Sequence, residues 1–168
     1  MTASIQVDVA VGIVTELTSH SFSQSFTPRR QLGELDVNLK ELNTLVVDVV
    51  PFKLTSRLAN RGAIAYTCVT SIVIRKKFPA NTLVSGRIPL TQTDGLMSLM
   101  QEIHDYFTVS QQIPRTGRRL ASVPEAVWME HEEKNEDGII GPYSKYLNEE
   151  QTFVGIIRVT YEVHRTPV

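Results

Sequence analysis

The sequence predicts an α+β domain with its elements in the order helix, strands, helix, strands. Three observations carry that class. Residues 94–109 show an apolar stripe at helical spacing. Residues 63–77 and 151–164 alternate with period two. Residues 44–50 form a dense β-branched run. The 168 residues amount to one domain, read as spanning 1–168 with long loops, and they suffice to bury a core without disulfides. Apolar residues at 42% and charged residues at 21% exclude wholesale disorder and collagen.

Each element has its own signal. Residues 3–18 read as a helix: Val9, Ile13 and Leu17 lie four apart, and Ala10 and Val14 widen the stripe. Thr2 or Ser4 is the candidate cap. A strand competes there, because Ile5, Val7, Val9 and Val11 alternate. Residues 21–28 predict a short strand, with Phe22, Gln24 and Phe26 on one face and Pro28 as its end. Residues 29–43 look irregular, anchored by Leu32, Leu35, Leu39 and Leu42. Residues 44–50 predict an interior strand covered on both faces and terminated by Pro51.

Residues 63–77 give the longest strand, with Ile64, Tyr66, Cys68, Thr70, Ile72 and Ile74 on one face. A loop over 78–93 leads to the helix at 94–109, with Asp94 as its N-cap and Leu96, Leu99, Met100, Ile103 and Phe107 as its buried stripe. A polar, basic connection over 110–122 follows. A short strand at 125–131 and a long one at 151–164 form a hairpin-like pair. Between them, the 132–150 loop is long enough to serve as an arm that reaches a neighbouring copy.

The residues that usually carry chemistry do not assemble into a motif. There is no phosphate-binding glycine loop, no dinucleotide fingerprint and no nucleophile elbow. His20, His104, His131 and His164 are isolated in the sequence. His131 with Glu132 and Glu133 has metal-ligand chemistry, but the pattern is more simply a solvated acidic loop edge. Cys68 in mid-strand reads as a buried structural thiol, and a lone cysteine gives neither a disulfide nor a cysteine zinc site. That usage points to a reducing compartment. Residues 1–17 lack a basic leader pattern, and no apolar run is long enough to span a bilayer. Asp48 inside the valine run either meets an arginine from another strand or lies on a half-exposed strand; the second reading is preferred.

Charge is split along the chain. Residues 1–120 carry 13 basic and 9 acidic side chains, a net of +4, while residues 121–168 carry 4 and 9, a net of −5. Such a split arises by chance, or it marks a basic face of one copy meeting an acidic face of another. The basic clusters are not interleaved with aromatics, so they do not read as a single-strand nucleic-acid binder.

One family resemblance follows from the residues. Phe22-Ser-Gln-Ser-Phe26-Thr-Pro-Arg29-Arg30 leads to Leu35-Asp36, Leu39-Lys-Glu-Leu42 and Leu45-Val-Val-Asp48-Val-Val-Pro51. Arg57, Arg61-Gly62 and a strand ending in Arg75-Lys-Lys-Phe78 complete the pattern. This resembles the tail-terminator, tail-completion and neck proteins of tailed bacteriophages, over roughly residues 5–110 and more loosely over 153–163. The resemblance implies a compact α/β (α+β) protein with a mixed, largely antiparallel sheet flanked by two α-helices. It implies a virion structural protein, assembled in the host cytoplasm, forming a ring of six copies. That ring caps the tail tube, ends its polymerisation and joins it to the head connector, and DNA passes its lumen without specific binding. It implies no enzyme activity, no cofactor, no metal and no membrane. The positions carrying the pattern are Phe22, Phe26, Arg29, Asp48, Pro51, Arg61 and Gly62.

In such a ring, the basic Arg115, Arg118 and Arg119 of one copy are expected to meet the acidic Glu130, Glu132, Glu133, Glu136 and Asp137 of the next. Two other readings stand beside it. One is a non-enzymatic adaptor for a virion or host protein. The other is a small hydrolase or transferase whose pocket gathers Asp48, His104 or His164.

Overall fold

The computed structural model describes residues 4–33, 43–108, 117–129 and 138–166. Helix α1 (Ile5–Ser19) forms where the helical stripe outcompetes the alternation. Ile5, Val9, Ala10, Ile13 and Leu17 are buried on it, whereas Val11 is exposed as a strand-type pattern would not have it. Ser4 occupies the N-cap position, but its carbonyl rather than its side chain takes the Val7 and Asp8 N–H groups.

Residues 21–27 alternate in burial as the sequence predicts, with Phe22, Gln24 and Phe26 turned inward. They do not form a strand. Their partners are side chains and backbone of a helix: the Ser23 N–H donates to the Glu102 carboxylate, and Gln24 Nε2 donates to the Gly95 carbonyl at 2.8 Å. Period two reports which way a side chain faces; a ladder also needs a neighbouring strand. Pro28 then opens β1 (Pro28–Arg30) instead of closing a strand, as suits a residue without an N–H at a strand's first position.

The central correction concerns β2 (Val46–Asn60); β3 (Ala63–Lys77) has the extent read from the sequence. Pro51 does not terminate β2. The neighbouring β1 reaches only Val49, so the missing proline N–H removes no ladder bond on that side. The chain shifts register between Pro51 and Lys53 and runs on to Asn60. β6 (Thr152–Arg165) pairs with the whole length of β3. β4 (Ala126–Trp128) and β5 (Gly138–Ile140) both pair with the far edge of β6. The sheet order is β1-β2-β3-β6-β4, with β5 also on β6. Only β1–β2 is parallel among these pairings, so the sheet is mixed and mostly antiparallel.

Helix α2 (Leu90–Thr108) buries Leu96, Leu99, Met100, Ile103 and Phe107, the stripe read from the sequence. It starts earlier than Asp94, because residues 90–93 contain no helix breaker and the Pro89 carbonyl receives the Gln92 and Thr93 N–H groups. A third helix, α3 (Ser144–Glu149), was not expected. With β5 it occupies much of the stretch read as a 132–150 loop. Tyr143 and Tyr146 pack with Ile140 against Val50, Val73, Val154 and Ile156.

The sheet is therefore covered on both faces in its inner half. One face holds the main core, including Val47, Val49, Ile72, Ile74, Phe153 and Ile157 against α1 and α2. Each such side chain contributes about 1.5–3 kcal/mol as an upper bound. The other face holds the smaller tyrosine-capped cluster.

Candidate functional site

The site is built outward from a buried charge. β1 lies beside β2 with Arg29 opposite Asp48, and β3 places Arg75 opposite Val46, one step along the same face. Asp48 Oδ1 accepts from Arg29 Nε at 2.7 Å, and its other oxygen accepts from Arg75 Nη2. The Asp48 side chain is 0% exposed and Arg75 is 1% exposed. The preferred sequence reading, a half-exposed strand around Asp48, is thus overturned. The reason is register: a carboxylate in a valine run is tolerated here because two guanidiniums arrive from both flanking strands. Burial pushes the Arg75 guanidinium down from its ordinary value, and the Arg29 charge acts in the same direction.

Beyond Pro51 the environment changes. Every residue from Phe52 to Asn60 is exposed. Leu54 pairs with Cys68 and Leu58 with Ile64 on the helix side of the sheet, and Leu58 is 77% exposed. On the other side, the Arg158 guanidinium lies over the Phe52 ring at 4.0 Å, and Arg57 Nη2 reaches Glu162 at 3.0 Å. His164 Nε2 lies 2.7 Å from the other Glu162 oxygen. Burial pushes the Glu162 carboxyl up, but hydrogen bonds from Arg57 and His164 prevail and hold it below the usual glutamate range. The turn is closed by Asn60 Oδ1, which accepts the Gly62 N–H at 3.0 Å and leaves Arg61 exposed at the tip.

No described strand pairs with the outer edge of β2 beyond Val49. The opposite margin of the sheet is β4, where Val127 is 56% exposed and the Glu125 side chain 45%. Glu125 lies 3.8 Å from Arg165, which also reaches Asp8 at 3.1 Å.

The positions read from the sequence divide clearly. Phe22 and Phe26 stack at 5.4 Å and pack against the main core. Arg29 and Asp48 root the hairpin, Pro51 marks where it leaves the core, and Arg61 and Gly62 make its turn. Arg119 is exposed. Arg118 is engaged within its own chain: its guanidinium lies 3.7 Å over the Tyr106 ring, and Nη1 is 3.4 Å from Glu16. Arg115, Glu130, Glu132, Glu133, Glu136 and Asp137 lie outside the described residues.

Glu16 was not singled out in the sequence. It is buried in α1 and gathers Tyr106 Oη, Arg118 and the Ala121 N–H, while the Tyr161 hydroxyl donates to the Arg118 carbonyl at 2.8 Å. Burial first, then the Glu16 charge, holds the Tyr161 hydroxyl protonated well above its usual range. The signal existed: Glu16 sits three residues after Ile13 and beside Leu17, inside the apolar stripe.

The groups named for a catalytic pocket lie apart. Asp48 is opposite Val73 and His164 is opposite Ala65. Eight residues along β3 is about 27 Å. His104 is on α2, beside Asp105. A groove of about 290 Å³ lies along Leu17–Pro28, and His20 is its one titratable lining side chain. Among the described residues, no three His, Cys, Asp or Glu side chains are placed to hold a metal ion. Cys68 is buried, and that burial pushes its thiol up to about 11, with Arg165 opposing. No helix among the described residues is long and apolar enough to cross a membrane. Comparison with known proteins finds no family model and no curated protein that matches this chain.

Proposed function

We propose that this chain is a structural virion protein of the head–tail junction of a tailed phage. Copies of it form a ring, a hexamer, that caps the tail tube, ends tube polymerisation and meets the neck proteins of the head connector. DNA passes through the lumen without specific binding. The protein acts in the virion and assembles in the host cytoplasm.

The observation that carries this reading is the long β2–β3 hairpin. Among the described residues its outer part has no strand on its β2 edge, and Phe52, Leu54 and Leu58 are exposed there, outside both core clusters. A surface of this kind is an aggregation hazard unless a partner covers it. The sequence pattern of the resemblance also falls on this unit: Arg29 and Asp48 anchor it, Pro51 releases it and Arg61-Gly62 turns it. A function carried by contact geometry needs a rigid base and a protruding edge, and the buried ion cluster supplies the first.

The test is made in the parent phage. A nonsense codon early in this reading frame is expected to give separate heads and tails, with tails of uneven length, in negative-stain micrographs. Supplying the wild-type chain in trans restores joined particles. Normal virions in the absence of the chain would overturn the reading.

A further inference from the structure

The geometry points to a detachable strand: the outer part of β2, residues 53–60, opens as one unit from a hinge at residues 51–53, and two side-chain straps that cross β3 hold it shut. This device does not depend on copies of the chain forming a ring.

The hinge is a break in the ladder. Pro51 pairs with Thr70 and Lys53 with Val69, so Phe52 is one residue too many on β2. A bulge of that kind interrupts the pairing and bends the strand. Inward of it, β2 is buried from Val46 to Val50, pairs with β1 and carries the Asp48 ion cluster. Outward of it, every residue from Phe52 to Asn60 is exposed, and among the described residues β3 is the one strand beside it. β3 itself keeps β6 on its other side from Ile64 to Lys77. Outer β2 can therefore leave while β3 stays in the sheet. Segments with little buried surface open locally at far lower cost than the whole domain.

The straps are the contacts that such an opening must break besides the ladder. The Phe52 ring lies under the Arg158 guanidinium at 4.0 Å, and Arg57 Nη2 reaches Glu162 at 3.0 Å. Both partners stand on β6, so each contact passes over β3. The β3 side chains on that face, Ala65, Thr67, Val69 and Ser71, are short, which lets the longer ones reach across. Ala65, Val69 and Ser71 are buried there although no helix or strand of the second cluster reaches them. Opening uncovers them and bares the row of N–H and C=O groups on that edge of β3.

The test is native-state hydrogen exchange of the full chain, read amide by amide by NMR at one pH. The β3-facing amides of residues 53–60 are expected to share one level of protection, with a step up to residues 46–50 across the bulge. Along residues 64–69 protection is expected to alternate: amides that donate to β2 share the lower level, and amides that donate to β6 keep the higher one. Phe52→Ala and Arg57→Gln are each expected to speed exchange over the whole outer set about twofold to fivefold and to leave residues 46–50 unchanged. Both side chains are exposed, so an unchanged far-UV circular dichroism spectrum serves as the folding control.

Three outcomes would overturn the inference. Protection that falls smoothly toward the turn, with no step at the bulge, indicates fraying from the tip. Protection as high over 53–60 as over 46–50 removes the hinge. Exchange speeded only at amides next to the substituted residue shows that the straps do not hold the strand as a unit.

Discussion

Two buried carboxylates on one face of the sheet are met by partners of very different exposure. Asp48 sits between Arg29 and Arg75 in the inner half, with its side chain fully buried. Glu162 sits between Arg57 and His164 in the outer half, beside partners that are 67% and 50% exposed. The chemistry is alike: one carboxylate and two basic side chains from neighbouring positions. The difference is the second layer. Tyr143, Tyr146 and Ile140 pack on that face around Val50, Val73 and Val154, whereas the outer β2 strand is exposed throughout. A buried partner makes an ion cluster a structural commitment; exposed partners leave it adjustable even around a buried carboxylate.

The strongest way to break the comparison is Asp48→Ala. It removes the buried anion that Arg29 and Arg75 share, and a loss of about 3–5 kcal/mol is expected in urea unfolding. Replacing the pair together, with Asp48→Val and Arg75→Met, removes the buried cation along with the buried anion, so most of that loss is expected to return. Equal losses in both variants would show that the cluster does more than neutralise itself.

A smaller effect is expected at Gly155, also in the inner half. A Cβ there would meet Met100 Sδ at 2.3 Å and Met100 Cε at 2.6 Å. Met100 is itself fully buried, so Gly155→Ala is expected to cost about 1–3 kcal/mol by overpacking, read as a lower thermal midpoint. An unchanged midpoint would mean that the interior repacks more freely than its burial suggests.

The smallest effect belongs to the outer cluster. Glu162→Gln is expected to cost at most about 1 kcal/mol near neutral pH, because Arg57 is largely solvated. The folded Glu162 carboxyl lies below its unfolded value, so its contribution is complete above the ordinary glutamate value of about 4.3 and is lost as pH falls through the lowered folded value. Acid unfolding of wild type is therefore expected to be steeper in that window than that of Glu162→Gln. Identical slopes would remove Glu162 from the outer half's electrostatics.

Of the three arginines expected at the interface, the two described ones, Arg118 and Arg119, separate on the same principle. Arg118 bridges Glu16 and Tyr106, so reversing its charge acts on the fold. Arg119 is exposed, so reversing it tests a surface alone.

What the sequence determined was local and periodic. The stripe from Leu96 to Phe107, the full extent of the strand at 63–77 and the facing of Phe22, Gln24 and Phe26 were legible, because each follows from residue spacing along one element. The burial of Cys68 and the double coverage of residues 46–50 were legible for the same reason. What only the tertiary structure decided depended on neighbours distant in sequence. Pro51 ends a strand only if its N–H is needed, and β1 had already stopped. Residues 21–27 become a strand only if another strand is beside them, and α2 is there instead. Asp48 is buried because Arg29 and Arg75 converge on it, and Glu16 is buried because Tyr106 and Arg118 do. Spacing fixes the direction of a side chain, but the free energy of burying a charge depends on partners that only the folded register brings together.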